Sequence, residues 1–158
     1  MKYFVLLFGL CLSGLVFAEV DLVKVVKSKG ALYLMKGETV VKQYAVVFGA
    51  NPKGHKQQEG DERTPEGVYS LDYKKEDSAF YRAMHISYPN AEDVRKAKAR
   101  GVSAGGFIMV HGQRNGLGWL AFVMQNFNWT NGCIALTNSD MDEFMDKVKV
   151  GTPIEIVW

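Results

Sequence analysis

Apolar and polar positions alternate with a period of two along much of the chain, the pattern of half-buried strands. Residues 22–26, 31–35 and 39–47 carry β-branched and aromatic side chains, with turns at Gly30 and at Lys36-Gly37-Glu38 between them. They predict a β-meander. Pro65 and Gly67 in "TPEGVYSL" mark a turn into a further strand, "GGFIMVHG" reads as an apolar strand ending at His111, and "PIEIVW" alternates as a closing strand. Two stretches change period. Residues 91–100, "AEDVRKAKAR", place acids first and bases last and meet Gly101 as a stop, so they predict a helix. Over 138–148, Met141, Phe144, Met145 and Val148 share one helical face, with Asn138 or Ser139 as the expected cap. Strands outnumber helices. The fold class is β-dominated, all-β to α+β, with two or three short helices attached.

Residues 49–63, "GANPKGHKQQEGDER", are too charged for a core and read as a surface loop bordering a site, with His55 exposed in it. The opening "MKYFVLLFGLCLSGLVFA" has a different character. One lysine precedes an apolar run that closes on Val16-Phe17-Ala18, the layout of a secretory signal peptide cut after Ala18. The run is short for a membrane span, which takes roughly 20 apolar residues. Leu10 before Cys11 stands where a lipoprotein needs a small residue. The expectation is a signal peptide over 1–18, a single domain over 19–158, and a location in the periplasm or cell envelope with no stable membrane insertion after cleavage.

Removing 18 of 158 residues leaves 140, enough for one domain with a hydrophobic core. The whole chain carries a formal charge of +2, and losing Lys2 lowers it by one. That balance gives no support to a nucleic-acid partner. Cysteine usage is more informative. Cys11 leaves with the signal peptide, so Cys133 stands alone in an oxidising compartment. An unpaired thiol there is a dimer bridge, a buried core residue or a nucleophile.

The surroundings of Cys133, "NWTNGCIAL", fit the third role. A thiol attacks carbonyls as thiolate and needs a base or cation nearby, for which imidazole is suited near neutrality. His55, His85 and His111 are all open as that partner. Gly132 permits a tight turn and close approach of a carbonyl, and the Gly132 and Cys133 amides are candidates for an oxyanion hole.

"VHG" at 110–112 followed by "TNGCIAL" at 130–136 resembles the signature of the YkuD-type L,D-transpeptidase catalytic domain, a His-Gly, a spacer and Ser/Thr-x-Gly-Cys. "GDERTPEGVYSL", "HISYPNAEDVRKAKARG" and "GTPIEIVW" extend the resemblance over nearly the whole mature chain, and "WTxGCIA" suggests a subgroup. The resemblance implies a β-sandwich-like fold and a secreted monomeric enzyme acting on peptidoglycan stem peptides without metal or organic cofactor. It implies Cys133 as nucleophile, His111 as base, the Gly112 carbonyl as orienter of the imidazole and Gly132 as an oxyanion amide. Thr130, Asn131, His85, Arg114 and Trp119 become candidates for substrate contact, although core packing is the better expectation for Trp119 and Tyr88, and a solvated loop position for Arg114. Many relatives carry His or Lys where this chain has Asn131, and Arg or Asn where it has Ala135. The expected reaction is L,D-transpeptidation through a thioester. Hydrolysis of the same bond, a non-catalytic wall-binding module and a Cys133-bridged dimer are the competing readings.

Overall fold

The computed structural model describes residues 19–158; the expected signal peptide lies outside them. The strands are β1 (Leu22–Val26), β2 (Ala31–Lys36), β3 (Thr39–Ala45), β4 (Gly67–Ser78), β5 (Tyr81–Ile86), β6 (Met109–His111), β7 (Ile134–Ala135) and β8 (Pro153–Val157). The helices are α1 (Ala91–Ala99), α2 (Ala121–Met124) and α3 (Asn138–Lys147).

The predicted meander forms, with β1 to β3 pairing antiparallel in sequence order. The closing strand β8 joins the other side of β1 in parallel, and the sheet continues as β3-β2-β1-β8-β4-β5-β6-β7. One strand carries this sheet through a bend. Gly67–Ser70 of β4 pairs with β8, whereas Leu71 onward pairs with β5, and the register shifts between Leu71 and Lys74. A bulge of this kind bends a strand and sharpens its twist, so the sheet folds over on itself. Val23, Val25, Leu32 and Leu34 from one half share a single apolar core with Met84, Ile86, Val110 and Ile134 from the other. The result is the expected β-sandwich-like, α+β architecture. Among the described residues no helix is long and apolar enough to cross a membrane.

The end of the predicted third strand behaves differently from its beginning. After β3 the chain crosses to the far end of the sheet, where Val47 and Ala135 exchange backbone hydrogen bonds of 3.2 and 2.9 Å. Gly49 then bridges Thr130 in parallel. This crossing ties the first strands to the segment that carries Cys133.

α3 presents its predicted face: Met141, Phe144, Met145 and Val148 are buried in the core. Its cap is Thr137, whose Oγ1 accepts the Asp140 amide at 3.1 Å, and not Asn138 or Ser139. Asn138 is thereby released for the site described below. α1 begins with a reciprocal cap, Asn90 Oδ1 accepting the Asp93 amide while Asp93 Oδ2 accepts the Asn90 amide, each at 3.0 Å.

Residues 49–63 form a loop, as expected, but one that folds inward. Asp61 organises it, its carboxylate accepting the Gln57, Gln58 and Arg63 amides and the Lys56 ammonium at 2.7–3.1 Å. Lys56 is buried as a consequence. His55 is a fastening and not an exposed loop residue: Nδ1 accepts the Glu66 amide at 3.0 Å, so Nε2 carries the proton it directs at Asp93 Oδ1, 3.1 Å away.

Candidate active site

β6 and β7 run parallel with Val110 opposite Ile134 and His111 opposite Ala135. The same register places Cys133, one step before β7, opposite Met109. Val110 and Ile134 point into the core with no exposure. Strand alternation therefore puts Met109, His111, Cys133 and Ala135 together on the opposite face. His111 and Cys133 are diagonal neighbours there, roughly 7–8 Å apart at Cβ for such pairs, within the reach of an imidazole.

His111 is held on every side. Its Nδ1 lies 2.6 Å from the Gly112 carbonyl oxygen, which can only accept, so Nδ1 carries the proton and Nε2 keeps a free lone pair. Phe80 packs on the ring with centroids 4.6 Å apart, and Trp129 meets it edge-on at 5.7 Å. Gly112 is required by space: a Cβ there would lie 2.8 Å from Asn138 Oδ1 and 3.0 Å from Tyr81 Cβ. Asn138 Oδ1 also accepts the Gln113 amide at 2.8 Å, and Gln113 Nε2 donates to the Leu136 carbonyl at 2.6 Å. This brace fixes the carbonyl that orients the imidazole. Neither Gln113 nor Asn138 stood out in the sequence, because one lay in a Gly-rich spacer and the other looked like a helix cap.

The turn before Cys133 is closed by Thr130. Its hydroxyl donates to the Cys133 carbonyl at 2.7 Å and accepts the Gly132 amide at 3.2 Å. Thr130 is buried, and these bonds make it a clamp within the turn, not an exposed substrate contact. They also engage the Gly132 amide, the expected oxyanion donor, in the resting structure. Gly132 adopts φ of +123°, and a Cβ would sit 2.6 Å from the Arg63 carbonyl oxygen. Gly49 backs the turn even more closely: a Cβ would meet Glu62 O at 2.0 Å and Gly132 N at 2.9 Å. The Cys133 sulfur accepts the Met109 amide at 3.4 Å and donates to the Phe107 carbonyl at 3.7 Å.

Burial pushes the Cys133 thiol up, against the opposing pull of the Met109 N–H and the positive Lys56. Burial likewise drives His111 down to about 4, while its bond to the Gly112 carbonyl acts the other way. The resting pair is a neutral thiol and a neutral imidazole. That pairing suits the expected role of His111 as a base that takes the thiol proton during attack.

A groove of about 480 Å³ is lined by residues including Lys56, Glu62, Phe107, Ile108 and Asn131; neither Cys133 nor His111 lines it, and its link to the sulfur is Phe107, whose carbonyl accepts from the Cys133 thiol. Asn131, a predicted contact, is exposed within the groove. Ala135 is fully buried, paired with His111 on one side and bridged to Val47 on the other. His85 lies on the same sheet face, opposite Met109 on β5, with Nδ1 2.7 Å from Asp72 Oδ1. Arg114 is exposed in the loop after His111 and stands apart from the groove lining. Trp119 is exposed also, against the expectation of core packing, since it begins a short helical excursion that runs into α2 over the surface. Tyr88 is core, its hydroxyl donating to the Ala104 carbonyl at 2.9 Å. Among the described residues no group of three or more His, Cys, Asp or Glu is arranged to hold a metal ion.

The profile of the YkuD L,D-transpeptidase catalytic domain matches residues 20–156. The chain belongs to that family. It is 32% identical over 121 residues to YafK of Escherichia coli strain K12, covering 74% of this chain and 42% of that protein. A variant of the helical cell shape determining protein Pgp2 from Campylobacter jejuni superposes with a TM-score of 0.65 at 25% identity, covering 87% of this chain and 46% of that one. An Enterococcus faecium L,D-transpeptidase variant shares the fold, with a TM-score of 0.56, 18% identity, and coverage of 88% and 50%. The chain spans about half the length of these relatives or less.

Proposed function

We propose that this protein is an exported cysteine acyltransferase that cleaves a peptidoglycan stem peptide and passes the acyl group to an amine. The observation that carries this reading is the shared face of His111 and Cys133, with the His111 Nδ1 proton committed to Gly112 and Nε2 available. Membership of the L,D-transpeptidase family supports the substrate class. The leader-like opening supports export to the cell envelope, and the cell-shape role in the name of the Campylobacter relative agrees with work on the wall.

In acylation the Cys133 sulfur attacks the carbonyl of the scissile amide as its proton passes to His111 Nε2. Collapse of the tetrahedral intermediate breaks the C–N bond, and His111 returns that proton to the leaving amine. A thioester remains. The developing oxyanion falls to the backbone amides of the turn, with Cys133 as first donor and Gly132 joining when its 3.2 Å bond to Thr130 yields. Thr130 positions this turn. Asn131 lies at the groove wall, where a polar side chain meets a peptide backbone. Attack by an amine completes transpeptidation, while attack by water gives a carboxypeptidase or endopeptidase by the same route.

The test is incubation of the mature protein with purified muropeptides, read by mass spectrometry. A cross-linked product supports acyl transfer to an amine, and a shortened stem alone supports hydrolysis. Cys133→Ala should remove both products, and any product surviving that change rejects the cysteine mechanism. Nonreducing electrophoresis should show a monomer; a thiol-dependent dimer would assign Cys133 to a bridge.

A further inference from the structure

The spacer that joins β6 to β7 is unlike the rest of the chain. From Asn115 to Ser139 no residue carries a charge, in a protein where 23% of residues do. Within that span Trp119, Phe122 and Phe127 are exposed by 71%, 73% and 62%. Large aromatic side chains normally lose most of their exposure on folding, and an exposed cluster of them marks a binding surface. Residues 117–129 form this surface from a short helical turn, α2 and the turn after it, and none of them is fully buried.

The surface is fastened to the site along its length. At its start, a Cβ on Gly118 would lie 2.7 Å from Nδ2 of Asn138, the side chain that braces the turn after His111. In its middle, Gln125 Nε2 donates to the Ala135 carbonyl at 3.3 Å. At its end, Asn128 Oδ1 accepts the Phe48 amide at 3.0 Å, and the Trp129 ring meets His111. The aromatic surface thus borders the residues that flank His111 and Cys133.

Its chemistry narrows the ligand. Helices that lie on membranes carry Lys and Arg on their polar face, and this segment has neither. Amides take their place. Asn126 Nδ2 donates to the Phe122 and Val123 carbonyls at 2.7 and 3.2 Å, which leaves Oδ1 as an acceptor. Asn128 commits its Oδ1 to Phe48, which leaves Nδ2 as a donor. Both asparagines are exposed, so Phe127 stands in sequence between a surface acceptor and a surface donor. A neutral sugar ring matches this set. Its C–H face packs on an aromatic ring, and its rim of hydroxyl and amide groups both donates and accepts.

We propose that residues 117–129 bind the glycan strand that carries the stem peptide, with Trp119, Phe122 and Phe127 stacking on neutral N-acetylated sugar rings. The inference rests on the peptidoglycan reading above. The protein then holds its substrate at two points, the peptide at Cys133 and the sugars on the spacer between base and nucleophile.

Calorimetric titration of the mature protein with a soluble oligosaccharide of N-acetylglucosamine tests this. Binding should be insensitive to salt, because no charge is screened. Trp119→Ala, Phe122→Ala and Phe127→Ala should each weaken it by about threefold to tenfold, the range of a single aromatic contact. Circular dichroism checks that the fold is kept. Absence of binding, or unchanged binding in all three variants, overturns the assignment. Binding to phosphatidylglycerol vesicles that is lost in these variants, without binding of the sugar, overturns it in favour of a lipid surface. Self-association lost in the same way overturns it in favour of a second copy. The titration needs no turnover. Muropeptide products without sugar binding therefore reject this inference alone, and sugar binding without any product rejects the acyl transfer alone.

Discussion

The candidate base and the candidate nucleophile of the site are held by opposite means. His111 sits on a regular strand, and side chains from later in the chain, Gln113, Trp129 and Asn138, brace the turn after it and its ring. Cys133 sits at the end of an irregular turn, and backbone from much earlier in the chain, Gly49, Glu62 and Arg63, presses against it. Side-chain bracing fixes a tautomer and a ring plane. Backbone clamping fixes where an amide and a sulfur point. The proposed acyl transfer needs both, because proton transfer tolerates little rotation of the base and oxyanion stabilisation tolerates little movement of the donors.

The largest expected effect removes the base itself. His111→Gln should lower the rate of Cys133 acylation by about 10²–10⁴-fold, with the fold retained by circular dichroism. A loss of less than tenfold would show that another group takes the thiol proton.

Gly49→Ala attacks the clamp instead. Its Cβ would fall 2.0 Å from the Glu62 carbonyl oxygen, so Gly49, Glu62 or the Cys133 turn must move. Activity should fall by about 10²-fold, the scale set by a misplacement near 1 Å, while the His111 ring resonances stay in place. A variant with full activity would mean that the loop yields without disturbing the turn.

The pH dependence tests the base half alone. His111 is lowered from its usual 6.5 to about 4 by burial, so between these values the unfolded chain binds the additional proton. Its contribution is complete above about pH 6.5 and is lost as pH falls towards 4, with a total of about 3 kcal/mol. Urea unfolding should therefore show a steeper loss of stability from pH 7 to 4.5 in the native protein than in His111→Gln. The acid limb of acylation should lie near pH 4. A limb near 6.5 would contradict a buried neutral imidazole.

Thr130→Val should have the smallest effect of the four. It removes one donor and one acceptor within the turn, each hydrogen bond worth about 1 kcal/mol. Denaturant midpoints should drop accordingly and acylation should slow by about tenfold. An unchanged rate would show that Gly49 alone sets the turn.

Much of this was legible beforehand. Local chemistry marked β1, β2, α1 and α3 because alternation, capping and charge order act over a few residues, and the isolation of Cys133 with its Gly132 turn stood out for the same reason. Lys56 was misread as surface because a charge run normally stays in water. Here Asp61 and the loop backbone satisfy its ammonium, which makes burial tolerable. Trp119 was misread as core because aromatic residues usually pack, yet it lies in a spacer that runs across the surface.

The sequence by itself determined the strand and helix periods, the family signature and Cys133 as a candidate nucleophile. Only the tertiary structure decided its partners. Pairing register across β5, β6 and β7 turns three distant segments into one face bearing His85, His111 and Cys133. The fold-over at β4 and the crossing at Val47 then bring Gly49 and Arg63 against the Cys133 turn. No local rule encodes such contacts, because they depend on long-range strand pairing, and pairing is set by the burial of the whole sheet.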